Sequence, residues 1–599
     1  MEFETLNQLV ERAAATHRKP DALRYKKDGV WHDLSSEAWV SRLRDLALGL
    51  HALGIRRTDR VALLSENRLE WFLVDGAVQI LGAATVPIYS TLTAAQAAYI
   101  LKDSGAKAVV VSDAVQQKKI AAVRADLSAL EHVLTLDPSK EVAGLSLESV
   151  EAKGREEGRK DPGAWQRLAN AVLPEDLASI VYTSGTTGEP KGVMLTHRNL
   201  VSNVKASLQV LAVGPTDRAL SALPYSHVFE RMVAHYLFPA AGVSIAIATS
   251  IDSVIEELGQ VHPTVMTMVP RFYEKMYARV KESAAAGSPL KRRIFEWAIA
   301  TGKEHGKYRL RRERPPLALD IKYKLATALV FKKLHQRLGG ELRFFVSGSA
   351  PLSKEIAEFF WAAGITILEG YGLTETSPVV SVNQPGRLKF GTVGPPIPGE
   401  TVEIAEDGEI LVRGENVMKG YWKKAEATRE AIDSRGFFHT GDIGHLDADG
   451  FLVITDRKKD LIVTSGGKNI APQAIEGRLK TNAYISEVVV VGNRRSFASA
   501  LVVPNYERVA VWCREQSIPA ESREQMASHP RVRELIMEQV ERVNTEFAQY
   551  ERVRKIVLLA DEFSIERGEL TPTLKARRSL IESRYQHLIE EIYKEPKPA

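Results

Sequence analysis

The chain has 599 residues, 44% hydrophobic and 26% charged, a balance that suits a water-soluble globular protein and excludes a disordered or fibrous one. Its 80 basic and 75 acidic side chains leave a net charge of only +5, which permits weak attraction to anionic lipid or polyphosphate but gives no argument for a nucleic-acid binder. A single cysteine, Cys513, rules out an internal disulfide and suits a reducing compartment, and the length calls for two or more domains.

In chain order, the start MEFETLNQLVERAAATHRKP carries acids early and sets Phe3, Leu6, Val10 and Ala13 at helical spacing. It reads as a packed amphipathic helix, not a secretory signal. Short β-branched runs then alternate with helical segments: RVALLSE, ATVPIY, AKAVVVSD, ASIVYTS, SIAIAT, VMTMVP, LRFFVSGSA and ITILEGYG each read as buried strands near a helix. That alternation predicts α/β layering with largely parallel sheets. The most apolar stretch, MVAHYLFPAAGVSIAIAT, is interrupted by His235 and Pro239 and predicts a buried helix and strand, not a membrane span. Residues 275–340 are rich in Lys, Arg and helix formers and predict an inserted, partly exposed helical region. Their charge run reads first as a solvated face and second as a surface for anionic lipid or a partner. From about 390 to 458, short strands and turns predict a small antiparallel subdomain. Beyond it, SEVVVVGN and ASALVVPN read as strands before terminal helices, and Cys513, in VWCREQ, sits in an ordinary helix.

Four polar motifs interrupt these apolar elements. YTSGTTGEPKGV, Tyr182 to Val193, crowds three glycines and several hydroxyls around Lys191, between a strand and a helix start near Thr196. Amides freed at Gly185 and Gly188, hydroxyls of Thr183, Ser184, Thr186 and Thr187, and the Lys191 charge are what a phosphate needs. The spacing is nevertheless not that of a Walker loop, and a plain Gly/Ser surface loop has the same composition. LEGYGLTETS offers the aromatic face of Tyr371, the Thr374 hydroxyl and the Glu375 carboxylate, a ligand type suited to Mg²⁺, although Thr-Glu-Thr-Ser is also capping chemistry. In FHTGDIGHLDADGFLVITDRKKDLIVTSGGKNIAP, Asp442 follows a Thr-Gly turn and Arg457 follows a strand. RGELTPTLKARR puts Lys575 in a turn-rich segment. Each alone has a bland reading as a turn, a cap or a solvated charge.

Together and in this order, YTSGTTGEPKGV, YGLTET, TGD, DRKKDLIVTSGGKNIAP and LTPTLK resemble the AMP-forming acyl-CoA synthetases of the adenylate-forming superfamily over nearly the whole chain. LPYSHVFER, VPRFYEKMY and the helical insert look like the long-chain fatty-acid–CoA ligases within it. The resemblance implies an α/β fold with a large N-terminal domain of layered sheets and helices, residues 1–458, including the β subdomain. A smaller mobile α+β C-terminal domain, residues 459–599, follows. It implies ATP, Mg²⁺ and coenzyme A, with a fatty acid activated through acyl-AMP. Medium-chain or aromatic acids, and an acyl-AMP ligase loading a carrier protein, stay open; GYW at 420–422 lying close to TGD at 440–442 favours CoA as acceptor.

By position, Thr183 to Lys191 cover the β- and γ-phosphates. Gly348, Ser349, Ala350 and Pro351 wall the adenine, with Tyr371, followed by Gly372, stacking on it. Thr374 bonds the α-phosphate, Glu375 holds Mg²⁺, Asp442 binds the ribose and Arg457 assists. Lys459 occupies the hinge position, where relatives often have Asp. Gly466 lets the pantetheine arm pass, and Lys575 is the mobile catalytic lysine. His227, in LPYSHVFER, divides evenly between a buried structural histidine and a group at the carboxylate. The expected setting is the cytoplasm or the inner face of a membrane, as monomer or homodimer.

Overall fold

Uninterrupted apolar runs become interior strands: Ala108–Val111 and Ser244–Ile247 are buried along their whole length. Parallel strands covered by helices on both faces have no solvent side to alternate toward. The structure, a computed structural model, describes residues 2–137, 145–183, 190–465, 468–571 and 575–594.

Two eight-stranded sheets carry the first part of the chain. The first runs Gly420–Tyr421, Lys191–Thr196, Leu177–Thr183, Ala84–Ile88, Arg60–Leu64, Ala108–Val111, His132–Thr135, Leu145–Ser146. The second runs Val379–Val382, Thr366–Gly372, Phe344–Ser347, Val265–Met268, Arg218–Ser221, Ser244–Ile247, Leu23–Lys27, Val30–Leu34. Their interiors are parallel, as the alternation predicts, and antiparallel pairing is kept to outer strands. One hydrophobic core joins the sheets, taking Val61 and Leu63 from the first, Ala219, Val265 and Phe344 from the second, and the inward faces of helices Leu6–His17, Ser36–Ala52 and Leu69–Ile80. Phe3, Leu6, Val10 and Ala13 are all buried, so the helical spacing at the start is a core-facing stripe.

Two local details refine the sequence reading. KGVMLT forms a strand, Lys191–Thr196, antiparallel to Leu177–Thr183, before the helix begins. The helix His197–Val210 does start at Thr196, whose hydroxyl accepts the Asn199 N–H (3.1 Å) while Asn199 Oδ1 accepts the Thr196 N–H (2.8 Å). The apolar stretch is buried from Met232 to Ala248, but Met232–Leu237 winds as a π-helix between short α-helical turns. Among the described residues no helix is long and apolar enough to cross a membrane.

The basic region forms helices Pro270–Ala285, Pro289–Arg311 and Leu317–Ala326, the last continuing through Thr327–Phe331 into Lys332–Arg337. Strands Thr401–Ile404, Glu409–Arg413, Phe438–Leu446 and Leu452–Arg457 make a separate antiparallel sheet with its own small core of Val380, Ile410, Val412 and Leu452. From Ile462 onward a distinct core forms around strands Ile485–Val491, Ala498–Pro504 and Val553–Leu558 and helices Pro472–Leu479, Tyr506–Glu515 and Pro530–Asn544. This smaller C-terminal domain buries Cys513 as a free thiol. It meets the larger part through polar groups. Arg478 pairs with Glu355 (2.6 Å), which also accepts the Tyr277 hydroxyl (2.6 Å), and Arg271 pairs with Glu487 (3.0 Å).

Candidate active site

A cavity of about 650 Å³ reaches the C-terminal ends of the second sheet's strands, the side on which parallel α/β sheets leave a crevice for ligands. Its mouth is polar. Gly372 ends one strand so close to the next that an added Cβ would sit 1.8 Å from the Pro378 carbonyl oxygen, and the chain then turns to present Thr374 and Glu375. The Tyr371 hydroxyl donates to Asp442 Oδ2 (2.7 Å), and Arg457 Nε pairs with Asp442 Oδ1 (3.2 Å) across the antiparallel register that sets these two residues opposite each other. Thr440, Gly441 and Asp442 lie within the strand Phe438–Leu446 and not in the turn the sequence predicts, and this stretch is clamped from below. Gly441, at φ 70°, donates its N–H to Glu409 Oε1 (2.9 Å), and the Lys458 ammonium holds Glu409 (3.0 Å) and Asp407 (2.6 Å).

Glu375 accepts a hydrogen bond from the Tyr421 hydroxyl (3.0 Å), and the Lys191 ammonium sits 5.1 Å from the Tyr421 ring centroid. Burial raises the Glu375 pKa, and among the described residues it has no ion-pair partner. Mg²⁺ binds through one or two carboxylates, with waters and substrate phosphates completing its shell. A carboxylate that lines the cavity without an ion-pair partner among the described residues fits that habit, and among those residues no group of three or more His, Cys, Asp or Glu offers a ready-made cage.

Lys575 enters from the C-terminal domain. Its backbone is held by Thr571: Thr571 N–H donates to the Lys575 carbonyl (2.8 Å), Lys575 N–H donates to Thr571 Oγ1 (3.0 Å), and Leu570 bridges Ala576. Burial, then the neighbouring Arg457 and Lys459 charges, push the Lys575 pKa down to about 8 against the pull of Asp442. Burial and Arg457 lower Lys459 too. Cations gathered to their mutual cost mark a place that waits for an anion.

His227 caps the turn Val228–Arg231, its Nδ1 accepting the Phe229 N–H (3.2 Å), so the neutral ring carries its hydrogen on Nε2. Burial, and then Lys575, push its pKa down to about 3, so it offers a hydrogen bond and no charge. Phe229 packs on the Gly348 backbone, where an added Cβ would lie 3.2 Å from the ring, and Ser349 follows at φ 71°.

Beyond this junction the walls turn apolar. Phe344 and Val346, alternate residues of one strand, face the cavity with Val265, with Met232, Val233 and Leu237 of the π-helical segment, and with Leu211 and Val213. Gly348 and Phe344 bracket a whole strand, so the tunnel runs about 13 Å at roughly 3.3 Å per residue. A buried polar cluster fixes the segment that forms its wall. Asp75 accepts from Arg231 (2.5 and 3.1 Å), Tyr236 (2.7 Å) and Thr85 (2.7 Å), and Arg231 also reaches Ser179 of the first sheet (2.7 Å). Burial alone would raise the Asp75 pKa; Arg231 and His235 outweigh it and keep the carboxylate ionised.

Thr183, Lys191, His227, Gly348, Ser349, Tyr371, Gly372, Thr374, Glu375, Asp442, Arg457, Lys459 and Lys575, scattered over the sequence, line this one cavity. Ala350 and Pro351 are exposed and lie outside its lining. Ser184, Gly185, Thr186, Thr187, Gly188 and Gly466 fall outside the described residues. Sequence reasoning passed over Tyr421, used only as a landmark in GYW, and Phe229, Lys458 and Thr571; of these, only the position of Tyr421 beside a strand-forming Gly offered a signal.

The chain shares its fold with solved structures. It superposes on the A domain of carboxylic acid reductase from Segniliparus rugosus with a TM-score of 0.76 at 21% identity, covering 98% of this chain and 94% of that one. The chain belongs to the AMP-binding enzyme family: the family's model matches residues 10–422, and that of the AMP-binding enzyme C-terminal domain matches residues 459–597. It is similar to the long-chain-fatty-acid–CoA ligase FadD15 of Mycobacterium bovis, 38% identical over 96% of this chain and 95% of that protein. It is also similar to long-chain-fatty-acid–CoA ligase 5 of Rattus norvegicus, 32% identical over 98% of this chain and 88% of that protein.

Proposed function

We propose that the protein is an AMP-forming long-chain fatty-acid–CoA ligase. The carrying observation is the continuity of one cavity, whose cation-rich mouth opens directly into an apolar tunnel. A fatty acid lying in that tunnel brings its carboxylate to the cation-rich junction, where the α-phosphorus of ATP would sit.

In the first step a carboxylate oxygen attacks the α-phosphorus, the bond to the bridging oxygen of the β-phosphate breaks, and pyrophosphate leaves with the electron pair. No protein nucleophile is needed; the barrier is the meeting of two anions. Lys575 donates to the carboxylate and α-phosphate oxygens as charge moves between them, and Thr374 donates to the α-phosphate. Thr183 and Lys191 flank the β- and γ-phosphates. His227 donates Nε2–H without adding charge. Tyr371, Gly348 and Ser349 face the adenine, and Asp442, steadied by Arg457, accepts from the ribose hydroxyls. Glu375 would hold Mg²⁺, which when bound offsets charge on the phosphate oxygens. The apolar walls exclude water that would hydrolyse the mixed anhydride.

In the second step the CoA sulfur attacks the acyl carbonyl carbon, and AMP leaves. Lys575 then has no pyrophosphate to release and occupies space the thiol needs. The boundary at 458/459, with Lys459 as pivot, lets the C-terminal domain swing it away, and Gly466 gives the pantetheine arm room. The free, buried thiol of Cys513 suits a cytoplasmic setting, with the enzyme acting as a monomer or homodimer. The test is a panel of acids from short to very long assayed with ATP, Mg²⁺ and CoA for AMP, pyrophosphate and acyl-CoA. A long-chain optimum supports the reading; activity confined to short or aromatic acids, or acyl-AMP passed only to a carrier protein, overturns it.

A further inference from the structure

The helix Leu317–Ala326 and its continuation to Arg337 carry a stripe of large aliphatic side chains that faces solvent. Leu317 (76%), Ile321 (58%), Leu325 (52%) and Leu329 (51%) recur every four residues, on one face of a helix, each at least half exposed. The opposite face supplies what the fold needs: Ala326, Phe331 and Leu334 are buried, and Tyr323 stacks on His305 with ring centroids 4.0 Å apart. The aliphatic stripe is therefore not a core face left over. Isolated surface leucines are ordinary; four in register are not.

Cations border the stripe. Lys322, Lys324, Lys332, Lys333 and Arg337 are all exposed. The sole carboxylate between 317 and 337 is Asp320, which is engaged by Lys324 (2.8 Å) and lies 3.5 Å from His305. A ridge of Leu and Ile with lysines along its flanks is the pattern of a helix lying in a bilayer interface. There the aliphatic side chains enter the acyl region, and the lysine stems reach back toward anionic headgroups. A second copy fits worse, because a two-fold contact through this face would set one basic border against another.

We propose that the face formed by residues 317–337 docks the protein on an anionic lipid bilayer. This stands apart from the ligase reading, since it uses no residue of the cavity. The test is co-sedimentation of the full chain with vesicles of phosphatidylcholine alone and of phosphatidylcholine mixed with phosphatidylglycerol, with its oligomeric state measured in parallel. The expected result is binding to the mixed vesicles about tenfold or more above the neutral ones, weakened by salt. Ile321→Glu/Leu325→Glu/Leu329→Glu should lose that binding while keeping wild-type thermal stability and wild-type ATP–pyrophosphate exchange on detergent-dispersed acid. Lys322→Glu/Lys332→Glu/Lys333→Glu, which leaves the aliphatic stripe intact, should lose the preference for anionic vesicles. Absence of wild-type binding, unchanged binding by both variants, or a wild-type dimer that the aliphatic variant dissociates would overturn the proposal, the last by assigning the face to self-association.

Discussion

Two polar clusters in this molecule use the same chemistry for opposite ends. In the cluster behind the tunnel, Arg231 and Asp75 are 4% and 1% exposed, and further hydrogen bonds run from Tyr236 and Thr85 to Asp75 and from Arg231 to Ser179. In the seam between the two domains, Arg478 and Glu355 are each 32% exposed and Arg271 pairs with Glu487 within reach of water. A buried pair that loses one member leaves an uncompensated charge, whereas a wet pair exchanges its partner for solvent at little cost. The first cluster ties the His227 segment to the first sheet and to the helix Leu69–Ile80 and is built to persist. The second joins a domain that, on the proposed two-step mechanism, must leave and return.

The sharpest way to break that contrast is to cut each cluster once. Asp75→Ala should destabilise the protein by about 3–5 kcal/mol in denaturant unfolding, the cost of stranding the Arg231 guanidinium. A loss below about 1 kcal/mol would remove the distinction between the two clusters. Next, Lys575→Ala should lower fatty-acid-dependent ATP–pyrophosphate exchange by about 10²–10³, as loss of a single transition-state donor does. Conversion of supplied acyl-AMP to acyl-CoA should stay near wild type; equal loss in both half-reactions of a folded variant contradicts the swinging-lysine account. Val213→Trp, which adds bulk to the apolar wall of the cavity, should cut kcat/KM for long acids by about tenfold or more while sparing short ones. An unchanged chain-length profile would mean the acid lies elsewhere.

At the seam, Arg478→Ala should change unfolding stability by no more than about 1 kcal/mol, with any kinetic effect shared between the half-reactions. Last is the titration of Lys575. Its pKa near 8 lies below the ordinary lysine value, so between about pH 8 and that value the unfolded chain binds more protons than the folded one, and ligand-free stability rises with pH. Modification by an amine reagent should reach half its limit near pH 8 and shift upward when ATP is bound. A midpoint near that of ordinary lysines would show that Lys575 does not sit among Arg457 and Lys459.

Much of this was legible in the sequence because the physics is local. Strands such as AVVV are uniformly apolar, and Thr196 caps its helix with adjacent residues. What was not legible depends on distance in sequence. Nothing near Asp75 shows that its partner is Arg231, and nothing in LPYSHVFER shows that Phe229 will back onto Gly348. Tyr421 binds Glu375 only because a two-residue strand brings GYW beside the strand that begins at Lys191. KGVMLT was hidden as a strand by the loop and helix cap on either side of it.

The central claim is that one cavity holds a fatty acid end-on against the α-phosphorus of ATP. Isotope exchange between pyrophosphate and ATP in the absence of CoA tests it most directly. The account predicts exchange that requires Mg²⁺ and a long-chain acid and that acetate does not support. Exchange that ignores the acid, or cleavage of ATP only to ADP and phosphate, would contradict it.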